Sequence, residues 1–253
     1  MKILSQDKGL ITSITLHHPE KRNAFDTEMV QRMLVLCNHA VQKGQRIIVI
    51  NAQTDHGVFS AGHDLSELSS VQEIQQDPMF EMIEFIGQLP IPVIAEVNGA
   101  VYAGALHLLM VCDLVYATEA STVLMTANKM GLPFSLRHYH QWLSVMGIHR
   151  VKELFFTADT MTAHEAYYAG IFNGIFETET ALKTKIADVC NKILLCSQTG
   201  IANSKLQLNQ LAGNVILNYR ETIQIEEARH ELLSSQEFQE RLAALQAKLH
   251  HKK

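Results

Sequence analysis

Cysteine is scarce in this chain, four in 253 residues, and no two of them stand in a CxxC pair. Cys37, Cys112, Cys190 and Cys196 lie far apart in apolar or helical contexts. That spacing argues against a disulfide framework and predicts reduced core thiols. Metal-ligand spacing is missing as well: the 13 histidines form neither HExxH nor a mixed Cys/His pattern. His138-Tyr139-His140 has no carboxylate or thiolate beside it, so no metal is expected. No run approaches the roughly 20 apolar residues of a membrane span, and Met1 to Asp7 lacks the apolar core of a signal peptide. The expectation is a cytoplasmic protein with no membrane partner. Positive charge is not in surplus either. With 21 Lys+Arg against 26 Asp+Glu the net charge is −5, which disfavours nucleic acid and leaves any phosphate binding to local basic clusters.

What the chain does have is apolar material, 47% of its residues, enough for a sizeable core. Gly9 to Leu16 alternates apolar and polar as a half-exposed strand does. Asp26 is placed to cap a helix whose apolar set, including Met29, Met33, Leu34, Cys37 and Val41, recurs at three and four and ends near Gly44. Ile47 to Ile50 predicts a buried strand. An acidic segment through Asp77-Pro78 leads into a helix to Leu89, stopped by Pro90 and Pro92. A strand at 93–97, a helix from Ala103 to Cys112 and a strand near Leu114 to Ala117 follow. Thr162-Ala163-His164-Glu165 fits a capping box and Gly170 the end of that helix. From about Cys196 the chain is mostly helical, with Phe238, Leu242, Leu245 and Leu249 on one face. Strand–helix alternation without repeats or Gly/Ser linkers argues an α/β core.

Two stretches carry candidate chemistry. In PVIAEVNGAVYAGALHLLMVCD, a buried strand ends at Asn98-Gly99 and Gly104 falls in the first turn of the next helix. There backbone N–H groups lack partners, and a residue without Cβ lets a ligand oxygen come close. His107, about one turn on, leans back toward the same end. It reads either as a partly buried histidine satisfied by a carbonyl or as a catalytic group. In VFSAGHDL, small residues precede an acidic cap candidate, and such a loop also presents a backbone N–H. Two N–H groups from separate loops aimed at one carbonyl oxygen would make an oxyanion hole.

FSAGHDL and VNGAVYAGALHLLMVCD, with PEKRNAFD near the start, resemble the crotonase (enoyl-CoA hydratase/isomerase) superfamily. TANKMGLPF and GIHRVKELFFTADTMTAHEAYYAGIFNGI are most similar to its methylmalonyl-CoA decarboxylase branch. The similarity runs from about Ile11 to Lys248. It implies an α/β crotonase (ClpP/crotonase-like) spiral of ββα units over residues 1–195. A C-terminal helical lid and oligomerisation region would then cover 196–253, with assembly as a homotrimer or a dimer of trimers. The implied ligand is an acyl-CoA thioester, with no cofactor beyond the CoA itself.

By position, the resemblance places the oxyanion-hole donors on the N–H groups of His63 and Gly104. The two glutamates of a hydratase fall on His107 and Ala127. Each positioned acid or base is worth roughly 10²–10⁴-fold, so plain enoyl-CoA hydration is disfavoured. Decarboxylation of a malonyl- or methylmalonyl-type thioester asks only for the oxyanion hole, a poorly solvated place for the carboxylate and a late proton source. Enoyl-CoA isomerisation or hydration with His107 as base, a carrier-protein thioester, and a non-catalytic acyl-CoA-binding subunit are the alternatives. The branch has a tyrosine where this chain has Phe134, and His63, His107, Tyr139 or His140 are the candidates to replace its hydroxyl. Thr126 and Phe134 are expected in the acyl pocket. Lys21, Arg22 and Ala24 would form the first CoA-contacting loop, and Ala61, Asp64 and Leu65 would lie beside the adenine or fix their loop. Lys248 would reach the nucleotide end. Met125, Met130 and Met146 read as core, or as a flexible wall.

Overall fold

The chain deals its strands into two sheets. β1 (Ile3–Lys8), β2 (Ile11–Leu16), β3 (Ile47–Ala52), β5 (Val93–Val97), β7 (Leu114–Thr118) and β10 (Gly174–Phe176) form the first, in that order. β4 (Val58–Ser60), β6 (Ala100–Tyr102), β8 (Thr122–Leu124) and β9 (Met161–Thr162) form the second. Only β1 against β2 and β9 against β8 are antiparallel among these pairings. Each of β3, β5 and β7 is followed by a short strand of the second sheet. A helix then returns the chain: α2 (Pro78–Gly87), α3 (Ala103–Val111) and α4 (Leu136–Thr157). The expected spiral of ββα units is therefore present. This computed structural model describes residues 1–67, 77–132, 134–213, 223, 227, 230, 231 and 233–250.

The central strands are buried on both faces, which is why their sequences are nearly continuous apolar runs. In β3, Ile48 and Ile50 point into the main core with α2, α3, α4 and α1 (Thr27–Gln42), whereas Ile47 and Val49 face the other way. There they meet Leu182, Ile186, Val189 and Cys190 of α6 (Glu179–Leu195). Asp26 caps α1 by accepting the Met29 N–H at 2.9 Å, as the sequence predicts, and Leu36 takes the buried face with Met33 and Cys37 while Leu34 is only half-buried. The Thr162–Glu165 capping box opens α5 (Ala163–Tyr168) with both reciprocal bonds made.

Further helices extend the spiral. α7 (Gln198–Gly213) is pinned by buried Lys205, whose Nζ donates to the Ile91 carbonyl at 3.1 Å and to Asp113 at 2.7 Å. α8 (Gln236–His250) buries Phe238 and Leu242 with Leu233, and this cluster packs onto Leu65 and Leu132. The side chains of Leu245, Lys248 and Leu249 lie outside the described residues, as do Pro133 and the acidic segment 68–76.

Cys37 and Cys190 are core thiols; burial pushes their pKa values up to about 12 and about 11. Cys196 departs from the expectation, because it falls just past α6 on the exposed surface. Among the described residues, no helix is long and apolar enough to cross a membrane, and no three His, Cys, Asp or Glu side chains gather as metal ligands.

Candidate functional site

The loop after β4 is held by buried groups. Asn23 accepts the His18 N–H at 2.7 Å and donates to the carbonyls of Gln53 and Phe59, both at 3.0 Å. Ser60 donates to the Asn23 carbonyl and accepts the Gly62 N–H. The Phe25 N–H then donates to the Gly62 carbonyl at 2.7 Å, and the Asp64 N–H donates to the Phe25 carbonyl at 2.8 Å. In such a parallel bridge the residue between the two bonded partners turns its own N–H away. That residue is His63, so its N–H faces the start of α3.

Gly62 and Gly104 make the approach possible. Gly62 has φ +87°, and a Cβ there would stand 2.8 Å from the Tyr102 carbonyl oxygen and 3.1 Å from the Gly104 nitrogen. A Cβ on Gly104 would meet Met79 Sδ at 2.9 Å and lie 3.6 Å from the His63 nitrogen. Neither the His63 nor the Gly104 N–H is given to a protein acceptor among the described residues. Ala103, the residue before Gly104, has φ +43°, a left-handed conformation that costs an alanine about 1–2 kcal/mol. A helix start, a turned-out loop amide and local strain thus converge on two unsatisfied donors.

A largely apolar pocket opens over this pair. Met79, Phe80, Met130, Leu132 and Phe134 form its walls, and Ala61, Leu65 and Thr126 also line it. His63 and Asp77 are the titratable side chains among its described lining residues. They are bonded to each other, His63 Nδ1 to Asp77 Oδ2 at 2.6 Å, while Asp77 Oδ1 accepts the Met79 N–H at 2.8 Å and so caps α2. Asp77, Met79 and Ala103 escaped sequence reasoning. Asp77 before Pro78 signals a helix start, which is visible in sequence, but its second bond joins it to a residue across a 13-residue gap that carries no pattern.

His107 is placed differently from the expectation. Its side chain is fully buried and does not line the pocket. Nε2 pairs with Gln141 Oε1 at 2.6 Å, and the ring sits among Phe80, Phe134, His138 and Trp142 at centroid distances of 4.7 to 6.0 Å. Burial pushes its pKa down to about 4 against the small opposing pull of Gln141. A helix that is apolar all round, with Ala105 to Met110 buried, carries any side chain at this position into the core.

The remaining residues divide by location. Lys21 pairs with Asp64 at 3.2 Å, and Asp64 also accepts the Ser66 N–H and hydroxyl. Burial works against the Asp64 carboxylate, but the Ser66 and Lys21 bonds outweigh it and hold the pKa below the usual range. Neither Asp64 nor Ala24 lines the pocket; Ala24 is buried and Arg22 exposed with φ +52°. Met130 lines the pocket while Met125 and Met146 are core. Tyr139 stacks on Phe134 and Phe155 behind the wall.

A family model for enoyl-CoA hydratase/isomerase matches residues 6–251. Methylmalonyl-CoA decarboxylase of Escherichia coli (strain K12) is 30% identical over 237 residues, 92% of this chain and 90% of that one. The mitochondrial enoyl-CoA hydratase domain-containing protein 3 of Xenopus laevis is 29% identical, covering 89% of this chain and 77% of its own. A solved structure of methylmalonyl-CoA decarboxylase in complex with 2-nitronate-propionyl-CoA superposes with a TM-score of 0.92 at 28% identity, over 98% of this chain and 96% of that one. A match over nearly the full length, on a spiral built around two converging amides, makes this chain a member of the enoyl-CoA hydratase/isomerase, or crotonase, family.

Proposed function

We propose that the chain is an acyl-CoA-processing enzyme that decarboxylates a malonyl- or methylmalonyl-type CoA thioester. One observation carries this reading: around the paired amides of His63 and Gly104, the described pocket wall offers no carboxylate free to activate water. Asp77 is committed to His63 and Met79, Ala127 has no functional group, and His107 is sealed behind the wall.

The thioester oxygen sits between the two N–H groups. As the bond from Cα to the carboxylate carbon breaks, its electron pair passes into the enolate and CO₂ departs. Each amide that holds the growing oxyanion is worth about 3–4 kcal/mol in the transition state. Apolar walls favour the step, because a carboxylate held by Met79, Phe80 and Leu132 is poorly solvated, whereas neutral CO₂ loses little in such a place. Phe134 supplies no hydroxyl, so Thr126 and His63 are the polar side chains left to orient that carboxylate. A proton then adds to Cα. Lys21, Arg22 and Lys248 serve the phosphates of CoA, and residues 196–253 serve as lid and assembly region of a homotrimer or dimer of trimers. The reaction as proposed draws on no group beyond the substrate's own CoA.

Support comes from the decarboxylase similarity over more than nine-tenths of the chain. The hydratase-named relative keeps enoyl-CoA hydration or isomerisation as the second reading, with His63 as the proton-transferring group. Side-by-side assays decide: CO₂ release from methylmalonyl-CoA and malonyl-CoA, and loss of enoyl absorbance from crotonyl-CoA. Fast CO₂ release with slow hydration is the expected result. Fast hydration without CO₂ reverses the order, and silence on all three with calorimetric CoA binding supports a non-catalytic subunit.

A further inference from the structure

We infer that Asp77 is a positioning residue: it fixes the tautomer of His63 and so makes that imidazole the proton donor to the enolate carbon. The inference rests on the decarboxylase reading for the step it serves, but its geometry stands without it. Asp77 is 6% exposed, and its two oxygens have separate tasks. Oδ1 accepts the Met79 N–H at 2.8 Å, which locks the carboxylate to the first turn of α2. Oδ2 lies 2.6 Å from His63 Nδ1. An ionised carboxylate only accepts, so the proton of that bond is on Nδ1. Nε2 has no partner among the described residues and is left for the pocket that His63 lines.

The same residue, His63, contributes the backbone N–H that faces Gly104. One side of it therefore holds the oxyanion while the other holds a proton. With Nδ1–H held by the carboxylate, a proton taken up on Nε2 faces the pocket and passes to Cα once CO₂ has gone. His63 returns to the neutral Nδ1–H form that Asp77 already holds, and water recharges it. The one proton consumed enters the product C–H bond, so charge and atoms balance. Because Asp77 is anchored by a helix turn instead of a free loop, the ring orientation is set before substrate arrives.

Asp77→Asn tests this on the full chain. An asparagine oxygen still caps α2, but its amide nitrogen now donates and calls for a bare Nδ1, which moves the proton to Nε2. An Asp-to-Asn change in an Asp–His pair leaves the geometry in place while favouring the wrong tautomer. Asp77→Ser is the companion variant: it keeps a cap on α2 and does not reach His63. Nitrogen-15 shifts of His63 should report Nδ1–H in the unaltered protein and Nε2–H in Asp77→Asn. On whichever thioester is turned over, kcat should fall about 100-fold in both variants while KM stays within about threefold. A neutral ring with its proton on Nε2 in the unaltered protein overturns the inference, as does full kcat in a variant whose tautomer has changed. If no thioester of the panel reacts, the substrate reading fails and the nitrogen shifts still decide the role of Asp77.

Discussion

Two histidines flank one pocket, and they live in opposite surroundings. His63 stands on a loop, bonded to a carboxylate, with one nitrogen left for the cavity. His107 stands on a helix one turn past Gly104, bonded to a neutral amide and walled in by aromatic rings. His107 is three residues from Gly104 along the chain, while His63 reaches the same glycine only through the fold. What separates them is the element that carries each: a loop at the sheet edge can turn a side chain to solvent, whereas a helix buried on all sides cannot. The chemical consequence is that a carboxylate partner fixes where the His63 ring carries its proton, whereas an apolar box works against charge on His107. Catalytic potential in this site follows the partner, not the distance along the chain.

The sharpest way to break that contrast is to damage the amide pair both regions surround. Gly104→Ala sets a Cβ 3.6 Å from the His63 nitrogen, in the space a thioester oxygen needs. Turnover should drop about 10²–10³-fold, near the 3–4 kcal/mol of one lost donor, in a protein that still folds cooperatively by circular dichroism. A kcat within threefold of the parent would remove the cradle from the mechanism.

Next in size is the acid sensitivity that His107 confers. Its folded pKa of about 4 lies below the ordinary 6.5, so the unfolded chain takes up the proton first as pH falls. Stability is fully present above pH 6.5 and is lost between 6.5 and 4, by on the order of 3 kcal/mol from this group. Urea midpoints at pH 7 and pH 4 should show the slope, and His107→Leu should flatten it. Activity of His107→Leu should stay within about fivefold of the parent; a loss as large as that of Gly104→Ala would return His107 to the catalytic set.

His63→Ala keeps the backbone N–H and removes only the ring. A fall in kcat of about 10²-fold is expected, the value of one positioned proton donor. Equal kcat values in His63→Ala and parent enzyme would assign the proton to solvent. The smallest effect is Ala103→Gly, which relieves the left-handed alanine at φ +43°. After the entropy cost of glycine the gain is about 0.5–1 kcal/mol, read as a small rise in Tm. A fall in Tm would mean that Ala103 contributes packing that outweighs its strain.

Long, capped and periodic elements are readable from the sequence alone. Asp26 announces α1, Thr162 and Glu165 announce α5, and the apolar runs give β3, β5 and β7 with boundaries within a few residues. The short strands β4, β6, β8 and β9, of two or three residues, are not, because two or three residues hold no period. β1 hides for another reason: after Ile3 it is exposed on every residue, so no alternation marks it. At the site, Gly104 and the His63 N–H are foreseeable from local chemistry, helix-start donors and small residues. The burial of His107 is not, since Phe80 comes from one stretch and Phe134, His138 and Trp142 from another, and they meet around it only in the fold. Asp77 fails to show for the same reason; its cap is local and its pairing with His63 is tertiary.

Asn23 gives the loop that leads to His63 a property that no single segment has. Its one buried carboxamide ties the His18, Gln53 and Phe59 backbones together, directly behind the segment that carries Lys21 and Arg22. The turn at His18 and the strand end that leads to the His63 amide are therefore braced through a single side chain. An acceptor that reaches the His63 N–H meets a donor whose footing is already fixed, with no further ordering of that loop required.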